Sequence, residues 1–586
     1  MKKLSSILVL IFCLIPFVAS AWILRDEFNT ALSAGSVHNT TSEPSGHTRT
    51  VTDTENKLSI ADGKLTFSGG KASPAWGDPA IWYPSVARAA GVSIILDITP
   101  TDATTSAEFG FDSGQSGNIV GNAMRITGDT IITYDGSTAG SSIFIPANAT
   151  NYQLATILRS AGAYYFLKGG TATKWSMLWA GGADNTTPLY PGIANYDLAS
   201  TNSFLRIPTT LWLPTPIASD GFSVSGTTDG KGHAEGVATG IGSGGGGLAW
   251  QSGGTTWSVS GGKAVNTPLV YGEELIVNGD METGNPPNAW GTAYNPTLSV
   301  EADRSGTGSQ SLGAAIAEES ERLQVFQTFT TETGKYYKIS SYTKAQLVNN
   351  TLSRMYRSDV FSAIQDALTN KTETWGANVT TGRATSVASG ILFSAHTEPG
   401  QGKMFLDDVS VKELKLSELF NTIQSSTPDV ISTVTFSIPP NGTQEGIVLN
   451  LDSVSTPLNF IVAYIAYDKI YLDKCVNGTW TNLINAGFTF VEGAELRVIK
   501  DGTTYRVYYN NALIGTSQTI ADASIINNTR HGLFSTDASN TLDNFTLYAR
   551  GTGGEYTVLD GLMNYEVPFP GGNPPAGGLT LINAGN

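Results

Sequence analysis

The chain has 586 residues, of which 14% are charged and 65 are glycine, and its formal net charge is −16. That length exceeds what one hydrophobic core serves, so three or more domains are expected. The acidic balance argues against nucleic acid and anionic membrane surfaces as partners, since both require basic protein.

The N-terminus carries Lys2 and Lys3, an apolar run from Ile7 to Val18, and then Ala19-Ser20-Ala21. This is the pattern of a secretory signal spanning 1–21, with Trp22 as the first mature residue. The run is short of the ~20 residues needed to span a bilayer, so no membrane insertion is expected. The predicted location is extracellular, either secreted or at the cell surface. Beyond the signal Cys475 is the only cysteine, which excludes an intramolecular disulfide and a thiolate zinc site.

From Trp22 to Pro214, short apolar or alternating runs are separated by Gly, Asn, Asp and Ser. Lys64-Leu65-Thr66-Phe67, Ala107-Glu108-Phe109-Gly110-Phe111 and Tyr164-Tyr165-Phe166-Leu167 are examples. Runs of this length with turn signals at this spacing predict an antiparallel sandwich. The later chain echoes the order. Asp26-Glu27-Phe28 returns as Asp220-Gly221-Phe222, and Ser59 to Lys64 as Ser258 to Lys263. Ser93 to Thr99 returns as Ser432 to Ile438, Ala107 to Ser113 as Gln444 to Ser453, and Leu154 to Gly169 as Leu496 to Asn511.

Spacing then distinguishes the copies. Roughly 30 residues separate Lys64 from its next matched strand, whereas roughly 170 separate Lys263 from Ser432. The excess of roughly 140 residues is a domain's length. The expected fold class is therefore all-β: multidomain antiparallel β-sandwiches of the jelly-roll kind, the second interrupted by an inserted third. Expected boundaries are 22–214 for the first sandwich, 216–272 plus 415–552 for the second, 273–414 for the insertion, and 553–586 for a Gly/Pro-rich tail. Four serial units are the alternative arrangement. Gly240 to Gly247 lacks the Gly-Lys-Ser/Thr ending of a phosphate loop and reads as a turn or linker.

The insertion opens with Asn278-Gly279-Asp280-Met281-Glu282, reaches Trp290, and closes with Phe405-Leu406-Asp407-Asp408-Val409-Ser410-Val411. That frame resembles carbohydrate-binding modules of the family 4/9/22 type, and the two flanking copies resemble concanavalin A-like, laminin-G-like sandwiches. The first resemblance implies a glycan or polysaccharide partner, including one at a cell surface. It also implies a structural calcium between the opening and closing motifs, here at Asp280, Glu282 and Asp408. Calcium takes clustered oxygens, and a jelly roll brings its first and last strands together.

Sugar binding needs flat aromatic faces beside polar groups that order hydroxyls. The insertion supplies Trp290, Tyr294, Tyr342, Tyr356 and Trp375 as candidate contacts, against the general tendency of a sandwich tryptophan to pack in the core. Catalysis finds no comparable support. The Glu-x-Asp-x-x-Glu of laminarinase-type hydrolases is absent; Glu108 and Asp112, four apart on one strand face, come nearest. The five histidines never form a His-x-x-x-His pair. The expected function is a secreted, non-catalytic carbohydrate-binding or surface-adhesion protein. The rivals are a structural cell-surface, filament or phage-fibre component, and a glycoside hydrolase or polysaccharide lyase with an unfamiliar site.

Overall fold

The computed structural model describes residues 22–583 except 102–105, 128–129, 137, 145–149, 160–161, 170–171, 183–186, 209, 214–216, 223–248, 304–307, 318–321, 347–352, 358–360, 363–373, 397–401, 440–441, 511 and 550–579. The expected signal at 1–21, the Gly-rich stretch 240–247 and most of the tail at 553–586 thus lie outside the described residues. The regular structure described is almost all antiparallel strand, with one four-residue α-helix at Ala523–Ile526 and a short 3-10 helix at Leu416–Glu418. Among the described residues no helix is long and apolar enough to cross a membrane. The chain divides into two compact units, Met1–Pro214 with Thr557–Asn586, and Thr215–Tyr556.

The first unit holds two sheets. One runs Ala172–Ala180, Ala163–Gly169, Tyr152–Leu158, Ser93–Pro100, Ser200–Asn202, Lys64–Phe67, Leu58–Ala61. The other runs Thr138–Phe144, Thr130–Asp135, Asn122–Thr127, Ser106–Asp112, Tyr190–Tyr196, Ala80–Trp82, Thr50–Thr52. Strand Thr210–Leu213 stands apart and pairs with Thr580–Asn583, so the C-terminal residues return to this unit.

The second unit repeats both strand orders. One sheet runs Ala512–Thr519, Thr504–Tyr509, Glu495–Asp501, Val430–Phe436, Leu542–Ala549, Lys263–Asn266, Trp257–Ser260; the other runs Thr479–Gly487, Lys469–Val476, Phe460–Ala466, Glu445–Leu451, Arg530–Ser535, Phe420–Gln424, Gln251–Ser252. The Asp-x-Phe echo has a physical reason in both copies. Asp26 Oδ1 accepts the amide of Phe28 at 3.2 Å and Asp220 Oδ1 that of Phe222 at 2.8 Å. Each carboxylate holds a fully buried phenylalanine at positive φ, 51° and 45°.

Gly110 and Gly446 mark a second correspondence. Each pairs across the sheet, with Ala123 and Tyr464, at a point where a Cβ would run into the neighbouring strand's backbone, at Asn122 O and Ala463 O. Gly110→Ala is expected to destabilise the first unit by about 1–3 kcal/mol through overpacking. Urea melting followed by tryptophan fluorescence checks it; an unchanged midpoint would contradict the close strand approach.

Residues 270–414, between the two parts of the second unit's paired sheets, build two further sheets. The larger runs Thr297–Glu301, Ser311–Ala315, Lys403–Leu414, Tyr336–Gln346, Gly376–Ala384, Phe361–Ser362; the smaller runs Gly291–Ala293, Arg322–Thr330, Ala388–His396, Ser353–Arg357. Entry and exit strands pair at the neck, Val270 with Leu414 and Tyr271 with Glu413. Glu418 ties that neck down, accepting the Leu269 amide at 3.1 Å and the Tyr271 hydroxyl.

The inserted strands also pack on the sheet that contains Phe460–Ala466. Ile461, Ala463 and Ile465 face the sandwich core, while Phe460, Val462, Tyr464 and Ala466 join a second cluster with Tyr336 and Leu414 of the insertion. Polar contacts cross the same boundary. Lys338 pairs with Asp537 at 2.7 Å, Thr381 with Thr536 at 2.6 Å, and Arg383 with Asp473 at 3.3 Å. The strand is buried on both faces because each face has its own partner.

Candidate functional site

The large sheet of the insertion has a core face and an outer face; the flanking sandwich covers the outer face at Tyr336, Lys338, Thr381 and Arg383, and along Lys403–Leu414 a β-bulge decides which residues reach it. Along Lys403–Leu414, Met404 and Leu406 face the core, as do Val409 and Val411, so the parity changes between them. The pairing slips there, since Ser340 opposes Ser410 but Tyr342 opposes Asp407. The extra residue is Asp408, at φ 47°, a conformation a short polar side chain tolerates. Asp407 Oδ1 accepts the Asp408 amide at 2.9 Å and steadies the bulge. Phe405 and Asp407 are thereby turned away from the core, alongside Tyr342 and Lys344 of the next strand.

On that face Phe405 lies between two ammonium groups, Lys344 at 5.0 Å and Lys403 at 5.2 Å from its ring centre. Trp375 meets Phe405 edge-on at 6.3 Å, and its indole N–H donates to Asp303 Oδ1 at 2.9 Å. Asp303 is ion-paired with Lys344, and Glu301 with Lys403. Lys344 first, and then the Trp375 N–H, hold the Asp303 carboxyl below its usual range; Lys403 and then Ser299 do the same for Glu301. Tyr342 opposes Ala377, two residues after Trp375, and its side chain is 38% exposed. Two accessible aromatics therefore stand beside ionised groups of both signs, which is the chemistry that stacks on a pyranose and orders its hydroxyls.

Of the five aromatics singled out by sequence, Tyr342 and Trp375 come together here. Tyr294 is exposed elsewhere and is occupied, with Arg322 stacked at 3.7 Å from its ring centre. Trp290 lies in the core rather than in a presented loop: it is 8% exposed, packs on Phe393 and donates to Asn278 O at 3.2 Å. Tyr356 falls in strand Ser353–Arg357 of the smaller sheet, and its side chain lies outside the described residues. Phe405, Lys344, Lys403, Asp303 and Glu301 were not singled out. The alternations Tyr342-x-Lys344 and Lys403-x-Phe405 carry a period-2 signal that pairs an aromatic with a cation on one face.

The opening and closing motifs do meet, through a 2.8 Å bond from the Val409 amide to Gly279 O. Their carboxylates have separate duties. Glu282 accepts the Ser309 hydroxyl and the Gln310 amide, the latter at 2.9 Å; Asp280 accepts the Glu282 amide at 3.4 Å; Asp408 is the bulge residue. Among the described residues, no three His, Cys, Asp or Glu side chains converge as metal ligands would.

Glu108 and Asp112 share the face of their strand opposite the buried Phe109 and Phe111. Glu108 is fully buried; its Oε1 accepts the Arg125 guanidinium and its Oε2 the Ile119 amide at 2.7 Å. Burial pushes its pKa up, with Arg125 opposing. Asp112 accepts the Val120 amide at 2.8 Å. Both carboxylates hold the 113–120 loop against the sheet.

No protein-family model matches the sequence, and no curated protein matches it. Solved structures that align with parts of the chain include carbohydrate-binding modules, glycoside hydrolases and a galectin. The carbohydrate-binding module CBM66 from Bacillus subtilis is 14% identical, over 22% of this chain and 80% of that one, with a TM-score of 0.19. TmCBM61 in complex with beta-1,4-galactotriose is 15% identical, over 24% of this chain and 98% of that one, with a TM-score of 0.19. LamAcat from Zobellia galactanivorans is 11% identical, over 32% of this chain and 98% of that one, with a TM-score of 0.22. Likenesses of this extent carry no argument about ligand or activity.

Proposed function

We propose that the protein is an exported, non-catalytic carbohydrate-binding protein that attaches to glycan, including glycan at a cell surface. In this reading 22–214 and the discontinuous 216–272 plus 415–552 are related sandwiches, and 273–414 is the inserted binding module. The observation that carries it is the placement of Tyr342 and Trp375 on one outer sheet face, beside Phe405 and the Lys344–Asp303 and Lys403–Glu301 pairs. A non-catalytic role is supported by the engagement of both Glu108 oxygens and the commitment of Asp112 to a loop amide. Export rests on the sequence of residues 1–21.

Its test is a glycan array on residues 22–586. Trp375→Ala and Tyr342→Ala are each expected to weaken binding by roughly tenfold or more, since a stacked aromatic contributes both area and ring contact. Repeating the array with EGTA tests the structural-calcium proposal at Asp280, Glu282 and Asp408: loss of binding supports it and unchanged binding removes it. If the unsubstituted chain binds nothing across a broad array, the spacer role in a surface filament replaces the lectin reading.

A further inference from the structure

Because the two sandwiches share their strand order, the outer face of the sheet containing Ser106–Asp112 corresponds to the face that the insertion covers in the second unit. Counting from Gly446, Gln444, Tyr464 and Tyr471 occupy that covered face. All three are buried, and Gln444 Nε2 donates to Thr381 O of the insertion at 3.4 Å. Counting from Gly110, the same places in the first unit hold Glu108, Ala123 and Tyr134. Among the described residues no inserted domain lies there; the 113–120 loop covers one part of the face, with Ile119 packed on Trp82, Ala123 and Ala194, and leaves the Arg125 end uncovered by it. Instead the Arg125 guanidinium sits between the rings of Trp76 and Tyr134, 4.5 and 4.6 Å from their centres, and Tyr196 stacks at a tilt on Trp76 at 5.3 Å.

The unused chemistry of this face is specific. Arg125 spends Nε and Nη2 on Glu108, and among the described residues its Nη1 edge has no partner, with the side chain 20% exposed. The Trp76 indole N–H and the Tyr134 and Tyr196 hydroxyls are likewise unengaged among the described residues, and Tyr196 is 37% exposed. Glu108 offsets the charge of Arg125, so the face offers N–H and O–H donors and ring surface without net positive charge. That combination suits hydroxyls and C–H faces rather than carboxylates or sulfates.

We propose that this face of the first sandwich is a second saccharide site, one that takes a neutral sugar. Arg125 Nη1 donates to ring hydroxyls, and the sugar's C–H side rests on Tyr196. The proposal builds on the carbohydrate-binding reading above and adds a site on a different unit of the same chain. Two weak sites on one chain raise avidity through effective concentration.

The experiment is a glycan array on residues 22–586 carrying Tyr342→Ala and Trp375→Ala, which silence the inserted face. Residual binding to neutral oligosaccharides such as galactotriose, cellotriose and laminaritriose is expected, unchanged in 0.5 M NaCl (about a 4 Å screening length). Adding Arg125→Gln or Tyr196→Ala is expected to weaken that residual binding by roughly tenfold or more. Tyr196→Ala alters an exposed side chain, so it reports on the site even if Arg125→Gln, which frees Glu108, loosens the fold. If the silenced chain binds nothing while the unsubstituted chain binds, the second site falls and the first reading stands. Residual binding indifferent to Tyr196→Ala, or confined to uronides and sulfated glycans and abolished by salt, overturns the neutral-sugar site. Absence of binding by the unsubstituted chain overturns both.

Discussion

Arg383→Met is expected to destabilise the Thr215–Tyr556 unit by about 3–5 kcal/mol, the cost of stranding a buried charge. Arg383 belongs to inserted strand Gly376–Ala384 and is 6% exposed; Asp473, across the boundary, is 1% exposed. Besides Arg383 at 3.3 Å, the donors to Asp473 among the described residues are neutral, the Tyr464 hydroxyl at 3.1 Å and Asn482 Nδ2 at 2.7 Å. The guanidinium also lies over Trp480 at 4.5 Å, so methionine keeps some packing but removes the charge.

The pH dependence of that deficit has a definite sign. Burial pushes the Asp473 carboxyl up, and Arg383 is the largest opposing influence. A carboxyl raised in the folded state binds its proton more tightly there than in the unfolded chain, so acidification through the folded pKa favours folding. Without Arg383 the rise is greater. The deficit is therefore expected to be largest near neutrality and to shrink as pH falls. Adding Asp473→Asn should recover part of it, and a melt of Arg383→Met superimposable on the parent would refute the buried pair as a tie between inserted and flanking strands.

The second large effect belongs to His531. It is fully buried; its Nδ1 accepts the Asn450 amide at 3.3 Å and its Nε2 donates to Thr427 O at 3.2 Å, so the ring is neutral. Burial drives its pKa down from 6.5 to about 3, the Thr427 carbonyl opposes, and Lys500 adds to the depression. Lys500 is itself paired with Asp429 at 2.6 Å. Below its ordinary pKa an unfolded histidine takes a proton that the folded one refuses. The stabilisation is thus complete above pH 6.5 and is lost as pH falls toward 3, by about 4 kcal/mol over that window. His531→Asn removes the titration. The parent-minus-variant stability difference, from urea melts at successive pH values, should be flat above pH 7 and fall below it. Parallel curves would contradict the neutral buried ring.

Much of this architecture is legible in the sequence. The Asp-x-Phe and Gly-Lys echoes, with the mismatch in spacing between Lys64 and Lys263, foretold the repeated strand pattern, because a turn or a buried aromatic at fixed register leaves a local signature. The unbroken apolar run Phe460-Ile461-Val462-Ala463-Tyr464-Ile465-Ala466 carries a further signal. An antiparallel strand with one wet face alternates. This one does not, because the insertion covers its second face.

The candidate site was only half legible. Tyr342 and Trp375 could be named as aromatics, but nothing local told them apart from Trp290. Which residues of Lys403–Leu414 join them on that face depends on the Asp408 bulge, a single inserted residue that reverses parity along that strand. Composition, period and spacing dictate local conformation and repeat, because those are encoded within a few residues of each position. Partnership across distant strands belongs to the tertiary structure alone: Arg383 with Asp473, Arg125 between Trp76 and Tyr134, Trp290 in a core. Register and packing close those contacts over separations that no short window of sequence spans.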